Sequence, residues 1–273
     1  MLWLTGGPGC SALSGLVFEI GPLGFKHEEY NGSLPNLFLR PHSWTKVSSI
    51  IFVDLPVSTG FTYATTKSAT QRSDSTLVLQ VHQFLRKWLI DHPKFLTNEV
   101  YIGGDSYSGI PVPAVVQEIS RGNQKGVQPW INLQGYLLGN ALTTRREENY
   151  QIPFSHGMAL ISDELYETYV YFLCGFWAND DNVRSALHIR KGSIGKWRRC
   201  TLDIPHDMDI PESYGYHVNL SRKGYRSLIY RYTRTYSNRM TFATVKGGSH
   251  IAPESNPKEC FAMFSRWLSK KPL

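Results

Sequence analysis

The sequence predicts an α/β fold, a mostly parallel central sheet with helices on both faces, and three observations point there. Five short runs read as strands: Leu2–Leu4, Ser49–Val53, Glu99–Gly103, Asn132–Leu138 and Arg226–Tyr230. Several are nearly continuous in Val, Ile, Leu and Tyr, as expected where a strand has no solvent face to leave polar. Between the second and third runs, Leu77, Val81, Phe84, Leu85 and Trp88 recur at helical spacing. A strand–helix–strand order needs crossovers, and right-handed crossovers build parallel sheets.

Each element has its own local reason. "LWL" at Leu2–Leu4 is a short apolar run closed by a glycine turn, and it reads as the end of a buried strand whose opening is missing. Ser73, Asp74 and Ser75 are candidate N-caps for the first helix, and Pro93 in "DHP" stops it. "IPVPAVVQEIS" reads as a second helix with first turns made irregular by Pro111 and Pro113. In the sparse region 140–215, "SDELYETYV" and "NDDNVRSAL" look helical. Tyr232–Tyr236 and Thr241–Val245 suggest a hairpin, and Pro257 to Leu268 a final helix. No repeat or linker interrupts the chain, so residues 1–273 read as a single domain.

Composition excludes several function classes. With 41% hydrophobic and 19% charged residues the chain is globular, not disordered. The net charge of +7 is scattered, and its densest group, Lys196–Cys200, is short, so no nucleic-acid partner is expected. No stretch is long enough to span a membrane. Met1 opens on "MLWLTGG" without a basic leader, so no signal peptide is expected within this chain. Cys10, Cys174, Cys200 and Cys260 form no CxxC pair. A zinc site is therefore not expected, while disulfides are permitted without a pairing being chosen. "NGS" at Asn31 and "NLS" at Asn219 are candidate glycosylation sites.

Three motifs carry chemistry. "GDSYSG" at Gly104–Gly109 fits G-x-S-x-G, with the strand "VYIGG" entering and a helical segment leaving. That setting suits a nucleophile elbow, in which Ser106 stands clear of the sheet edge and the N–H of Tyr107 faces a developing oxyanion. Glycine turns such as "TGGPGC" at Thr5–Cys10 are often only structural, but Gly7 could supply the second oxyanion donor, because a backbone without Cβ approaches a carbonyl closely. "GGSHIAPE" places His250, alone among nine histidines, on a glycine-rich loop after the last strand. A general base belongs there.

These motifs, with "IIFVDLPVSTGFTY", "DHPKFLTNEVYIGGDSYSG", "GNALT" and "GGSHIAPESNPKECFAMFSRWL", resemble a plant serine carboxypeptidase-like protein along nearly the whole chain. The resemblance implies an α/β-hydrolase fold and passage through the secretory pathway to the vacuole or cell exterior. It also implies Ser-His-Asp catalysis through an acyl-enzyme, without a cofactor or metal. By that resemblance Ser106 matches the nucleophile, His250 the base, and Gly7 with Tyr107 the oxyanion hole. Cys10 and Cys200 match a disulfide.

Thr5 and Asp105 narrow the branch. Peptide-cleaving members typically carry Asn and Glu there, gripping the substrate's terminal carboxylate. Thr lacks the amide's two N–H donors, and Asp is one methylene shorter than Glu. Such sequences resemble the acyltransferase-type branch, which moves acyl groups from glucose esters to alcohols or amines in secondary metabolism. The alternatives are a carboxypeptidase acting on peptide C-termini, and a non-catalytic binding or regulatory remnant.

The expected triad acid has no counterpart. No Asp or Glu lies between Glu212 and His250, and Tyr230 runs directly into Arg231 and Tyr232 where family members continue with a Ser-Gly-Asp turn. Asp203, Asp207, Asp209 and Glu212 precede the last parallel strand, which places them toward its opposite end. A further gap is expected near "LYETYVYFLCGFWANDD", where relatives carry a lid-like insertion, leaving a reduced lid around 140–215. The fold is thus expected to be incomplete, lacking opening strands, lid insertion and acid-bearing segment, with impaired activity.

Overall fold

The apolar runs become strands in a computed structural model that describes residues 1–26, 28, 30–66, 70, 72–144, 169–201, 204–230, 240–245, 248 and 250–273, with 169–171 described by backbone alone. Two strands match the sequence boundaries: β1 (Leu2–Leu4) and β7 (Arg226–Tyr230). A small antiparallel pair, β2 (Leu23–Phe25) and β3 (Leu37–Leu39), was not legible in the sequence. β4 shrinks to Ile51–Phe52, because it pairs only with the three-residue β1, through Leu2 and Trp3. β5 (Val100–Asp105) and β6 (Leu133–Gly139) run past their expected ends and carry the motif residues to the sheet's carboxyl edge.

With β8 (Met240–Ala243) these strands form a six-stranded sheet in the order β4–β1–β5–β6–β7–β8, and every neighbouring pair is parallel. β8 is the second half of the expected hairpin. The first half, Tyr232–Tyr236, lies outside the described residues, as do residues 162–168 of "SDELYETYV", Asp203 and, within the expected lid region, residues 145–168.

Alternation of side chains divides the core between two faces. Leu2, Leu4, Ile102, Tyr136, Leu138 and Ile229 pack on one side, with α1 (Asp74–Asp91) and α2 (Pro111–Gln124). Ser73 caps α1 by accepting the Thr76 N–H at 3.1 Å. The buried stripe of α1 is Leu77, Val78, Val81, Leu85 and Leu89, whereas Phe84 is exposed.

Trp3, Tyr101, Leu137, Leu228 and Tyr230 pack on the other side against Phe264 and Trp267. Those two belong to the last helix. Among the described residues, three further helices, α3 (Tyr169–Asn179), α4 (Asp181–Ala186) and α5 (Tyr214–Arg222), precede β7. After β8 come α6 (Ala252–Ser255) and α7 (Pro257–Leu268). Of these five, α4 and α7 answer to helices read from the sequence, as α1 and α2 do.

Candidate active site

At the end of β5 the chain turns sharply into α2 through one 3₁₀ turn, Ser106–Gly109. Ser106 takes φ +52°, a left-handed conformation that a side chain rarely adopts. That strain lifts its hydroxyl from the sheet edge, and the surrounding packing holds it there. The Ser106 carbonyl accepts the N–H of Leu142 at 2.8 Å, so the "GNALT" loop braces the turn.

On the other side of the serine, His250 brings Nε2 to 3.0 Å from Ser106 Oγ. The two are 144 residues apart in sequence, so the fold itself brings them together. Asn140, immediately after β6, holds the histidine loop: its Nδ2 donates to the His250 carbonyl at 2.6 Å. Its own N–H donates to the Tyr230 carbonyl at the end of β7 at 3.0 Å. Asn140 was visible in "GNALT" but carried no assigned role.

The glycine loop seats against the elbow through Gly6, which sequence reasoning passed over in favour of Gly7. A methyl on Gly6 would lie 2.7 Å from Ser106 Cβ and 3.0 Å from the Tyr107 nitrogen. Only glycine permits that approach. Gly7 answers a different demand, a φ of +129°, and a Cβ there would crowd the nitrogens of Gly9 and Cys10. The doubled glycine was the signal for two roles.

Beneath this loop lie two carboxyl groups. Asp105 accepts the Gly6 N–H at 3.2 Å. Although the residue is half-buried, protein atoms surround its carboxyl. That desolvation raises its pKa to about 7, against the lowering influence of the Gly6 N–H and the Arg199 charge. Glu19 is buried and is pushed well above the usual carboxylate range, first by desolvation and then by Asp105. Its Oε2 accepts the Trp3 indole N–H at 3.3 Å. A carboxyl group that is neutral near pH 7 can donate a hydrogen bond to an anion as well as accept one. The Thr5 hydroxyl is buried and has no hydrogen-bond partner among the described residues.

Cys10 and Cys200 are disulfide-bonded across 190 residues. Around the bridge, Ser11 N–H donates to the Arg199 carbonyl at 2.7 Å and Thr201 N–H to Gly9 at 2.9 Å. This ladder fastens segment 199–201 over the glycine loop. Cys174 and Cys260 are buried thiols.

The remote acids are not where the sequence placed them. Asp207 bridges to Ser73, Asp209 accepts the Ser75 N–H at 2.9 Å, and Glu212 bridges to Thr144 beyond the end of β6. The N-terminus of α1 lies at the sheet's carboxyl edge, because Tyr107, next to the elbow serine, bonds Asp74 there. These carboxylates therefore flank the carboxyl edge and not the opposite end. Among the described residues, no three His, Cys, Asp or Glu side chains are grouped to hold a metal ion.

A sequence model of the serine carboxypeptidase family matches residues 1–176, 169–232 and 231–270. The chain belongs to the serine carboxypeptidase family. Serine carboxypeptidase-like 11 of Arabidopsis thaliana is 43% identical over 364 residues, covering all of this chain and 84% of that relative. Serine carboxypeptidase-like 1 of the same plant is 44% identical, with all of this chain and 82% of the relative covered. The aligned span exceeds the chain's own 273 residues, so these plant relatives carry internal segments that it does not.

Breaks in the match to the serine carboxypeptidase model fall near residues 169–176 and 231–232, the two joints where the sequence suggested missing segments. The family's α/β-hydrolase fold is also recognised in a crystal structure of Kex1(Δ)p, a prohormone-processing carboxypeptidase from Saccharomyces cerevisiae. Its TM-score is 0.76 at 16% identity, with 98% of this chain and 82% of that one covered. No helix among the described residues is long and apolar enough to cross a membrane.

Proposed function

We propose that this chain, as one domain over residues 1–273, forms an acyl-enzyme on Ser106 and passes the acyl group from a glucose ester to an alcohol or amine. The observation that carries the reading is the 3.0 Å contact between Ser106 Oγ and His250 Nε2 at a strained elbow. His250 takes the hydroxyl proton as Oγ attacks the acyl carbonyl. The N–H groups of Gly7 and Tyr107 receive the oxyanion. The carbon–oxygen bond to glucose then breaks, and the imidazolium returns its proton to the departing sugar oxygen. In the second half an acceptor O–H or N–H gives its proton to His250 and attacks the ester carbonyl; the bond to Oγ breaks, and the imidazolium returns the proton to Ser106.

Thr5 and Asp105 favour acyl transfer over peptide hydrolysis, since Thr lacks the two N–H donors of Asn and Asp reaches one methylene less far than Glu. The second reading, a carboxypeptidase, draws on Asp105 itself, whose pKa of about 7 leaves a neutral donor for an anionic terminus at mildly acid pH. Rates of acyl transfer from a glucose ester and of C-terminal residue release from a blocked dipeptide, measured at pH 5.5 and 8, separate the two. Faster peptide release, with KM rising above pH 7 as Asp105 ionises, overturns the ranking.

The interval between Glu212 and His250 holds no acid, and the family match breaks within it. Turnover should therefore fall well below that of a relative carrying an acid there; the loss of the orienting carboxylate lowers serine protease turnover about 10⁴-fold. A non-catalytic acyl-binding remnant is the limit of that trend, showing ligand-dependent melting without turnover.

The disulfide favours an oxidising compartment, consistent with a secretory route. Asn31 is the better glycosylation acceptor. It is exposed, and the Ser33 hydroxyl already bonds its Oδ1 at 2.5 Å. Asn219 lies within α5 with its Nδ2 donating to Gln117 at 3.3 Å. Mass spectrometry of secreted protein should find glycan at Asn31 and not at Asn219.

A further inference from the structure

Tyr107 is asked to hold one backbone N–H toward the oxyanion, and its side chain reaches into a buried polar cluster. The phenol donates to Asp74 Oδ1 at 2.7 Å. Asp74 opens α1 immediately after its cap and is fully buried. The positive end of an 18-residue helix stabilises a carboxylate there. His206 brings Nε2 to 2.9 Å from the same Oδ1, and the Ile210 N–H donates to Oδ2 at 3.2 Å. The His206 ring stands edge-on to the Tyr107 ring, with centroids 6.2 Å apart.

This cluster is costly as a device for stability alone. The side chains of His206 and Asp74 are 2% and 0% exposed, and the second ring nitrogen of His206 has no hydrogen-bond partner among the described residues. A buried, half-satisfied imidazole costs more than an apolar ring of similar shape would. Its return is geometric. The carboxylate joins the residue beside the nucleophile, the start of α1 and the 206–210 segment, over separations of 33, 132 and 136 residues.

We propose that Asp74 and His206 are positioning residues that fix Tyr107 through its hydroxyl, so that the adjoining N–H stays aimed at the oxyanion. Asp74 acts on Tyr107 directly, and His206 orients the Asp74 carboxylate. The inference rests on the acyl-enzyme reading of Ser106. It adds that the geometry of this oxyanion site is set from behind by a carboxylate–imidazole pair outside the reacting atoms.

The test is the rate at which a fluorophosphonate labels Ser106, since its phosphoryl oxygen occupies the oxyanion position. Tyr107→Phe keeps the backbone N–H and removes only the anchor, and it should slow labelling about tenfold, as small misplacements of reacting groups do. Asp74→Asn should slow it similarly. The double variant should label no more slowly than either single variant, because both cut the same connection. A merely structural Asp74 gives multiplied effects instead, and that outcome overturns the proposal. Single variants that label at the wild-type rate overturn it too, while Ser106-dependent labelling of the wild type leaves the acyl-enzyme reading standing. A wild type that does not label at Ser106 removes both. If Asp74→Asn does not fold, as circular dichroism would reveal, the same cycle is run with His206→Gln, with the same two outcomes.

Discussion

A histidine on an exposed loop keeps a 3.0 Å contact with a serine only while its backbone is held, and Asn140 supplies one such hold through the His250 carbonyl. Asn140→Ala should therefore slow Ser106 labelling about tenfold, by letting the imidazole drift. The melting temperature should fall modestly as well, because Asn140 holds a φ of +41°, which alanine tolerates less readily than asparagine. Unchanged labelling would show that other contacts suffice. Asp105 makes a second, independent prediction. Its folded pKa of about 7 stands above the usual value for an aspartate, about 3.9 in an unfolded chain. The folded form thus binds this proton more tightly. Its contribution favours folding fully below about pH 4 and is lost as the pH rises through about 7. Asp105→Asn should flatten the fall in stability across that window, leaving the share that Glu19 adds. Urea midpoints taken at half-unit steps from pH 4 to 8 would register the change; equal slopes in the two proteins would contradict it.

At the scale of elements, the disulfide joins the glycine loop to a segment that no strand or helix secures. Because Cys10 and Cys200 are 190 residues apart, cutting the bridge releases much chain entropy to the unfolded state. Cys10→Ser with Cys200→Ser should cost about 3–5 kcal/mol. Denaturant midpoints of oxidised and reduced wild type provide the comparison, and identical midpoints would exclude a stabilising bridge. This pairing was readable only through family resemblance, since spacing alone left every pairing open. Elements whose signal is local were legible: the bounds of β1, β7 and α7 follow from apolar runs and from Pro257 at a helix start. β2, β3, α3 and α5 were not. Pairing partners of short strands are set by tertiary contact, and the apolar run of α3 has no clear helical period. In the site, serine and histidine announced themselves by motif. Gly6 and Asn140 did not, because their roles lie in what their backbone and amide touch across the fold.

For the whole molecule, the parallel sheet was legible because both its faces are buried, leaving strands with little polar alternation. Which helix residues complete each face was less so. Helical spacing placed Phe84 in the stripe of α1, yet it is 36% exposed, while Val78 and Leu89 take the buried positions. The opposite face depends heavily on α7, whose Phe264 is fully buried and stacks on Trp44 with ring centroids 4.2 Å apart. Trp44 in turn meets Trp3 of β1 edge-on at 5.8 Å, so one ring carries contact from the last helix to the first strand. Phe264→Ala should leave a cavity that the surrounding rings cannot close, costing about 3–5 kcal/mol. Against a total of about 5–15 kcal/mol for a typical fold, that is enough to depopulate the native state near physiological temperature. Phe84→Ala, which removes a ring already in contact with water, should cost under about 1 kcal/mol. Thermal melts of the two variants, side by side, test the assignment of faces. Equal losses would mean that α1 buries Phe84 after all, or that α7 does not close the second face of the sheet.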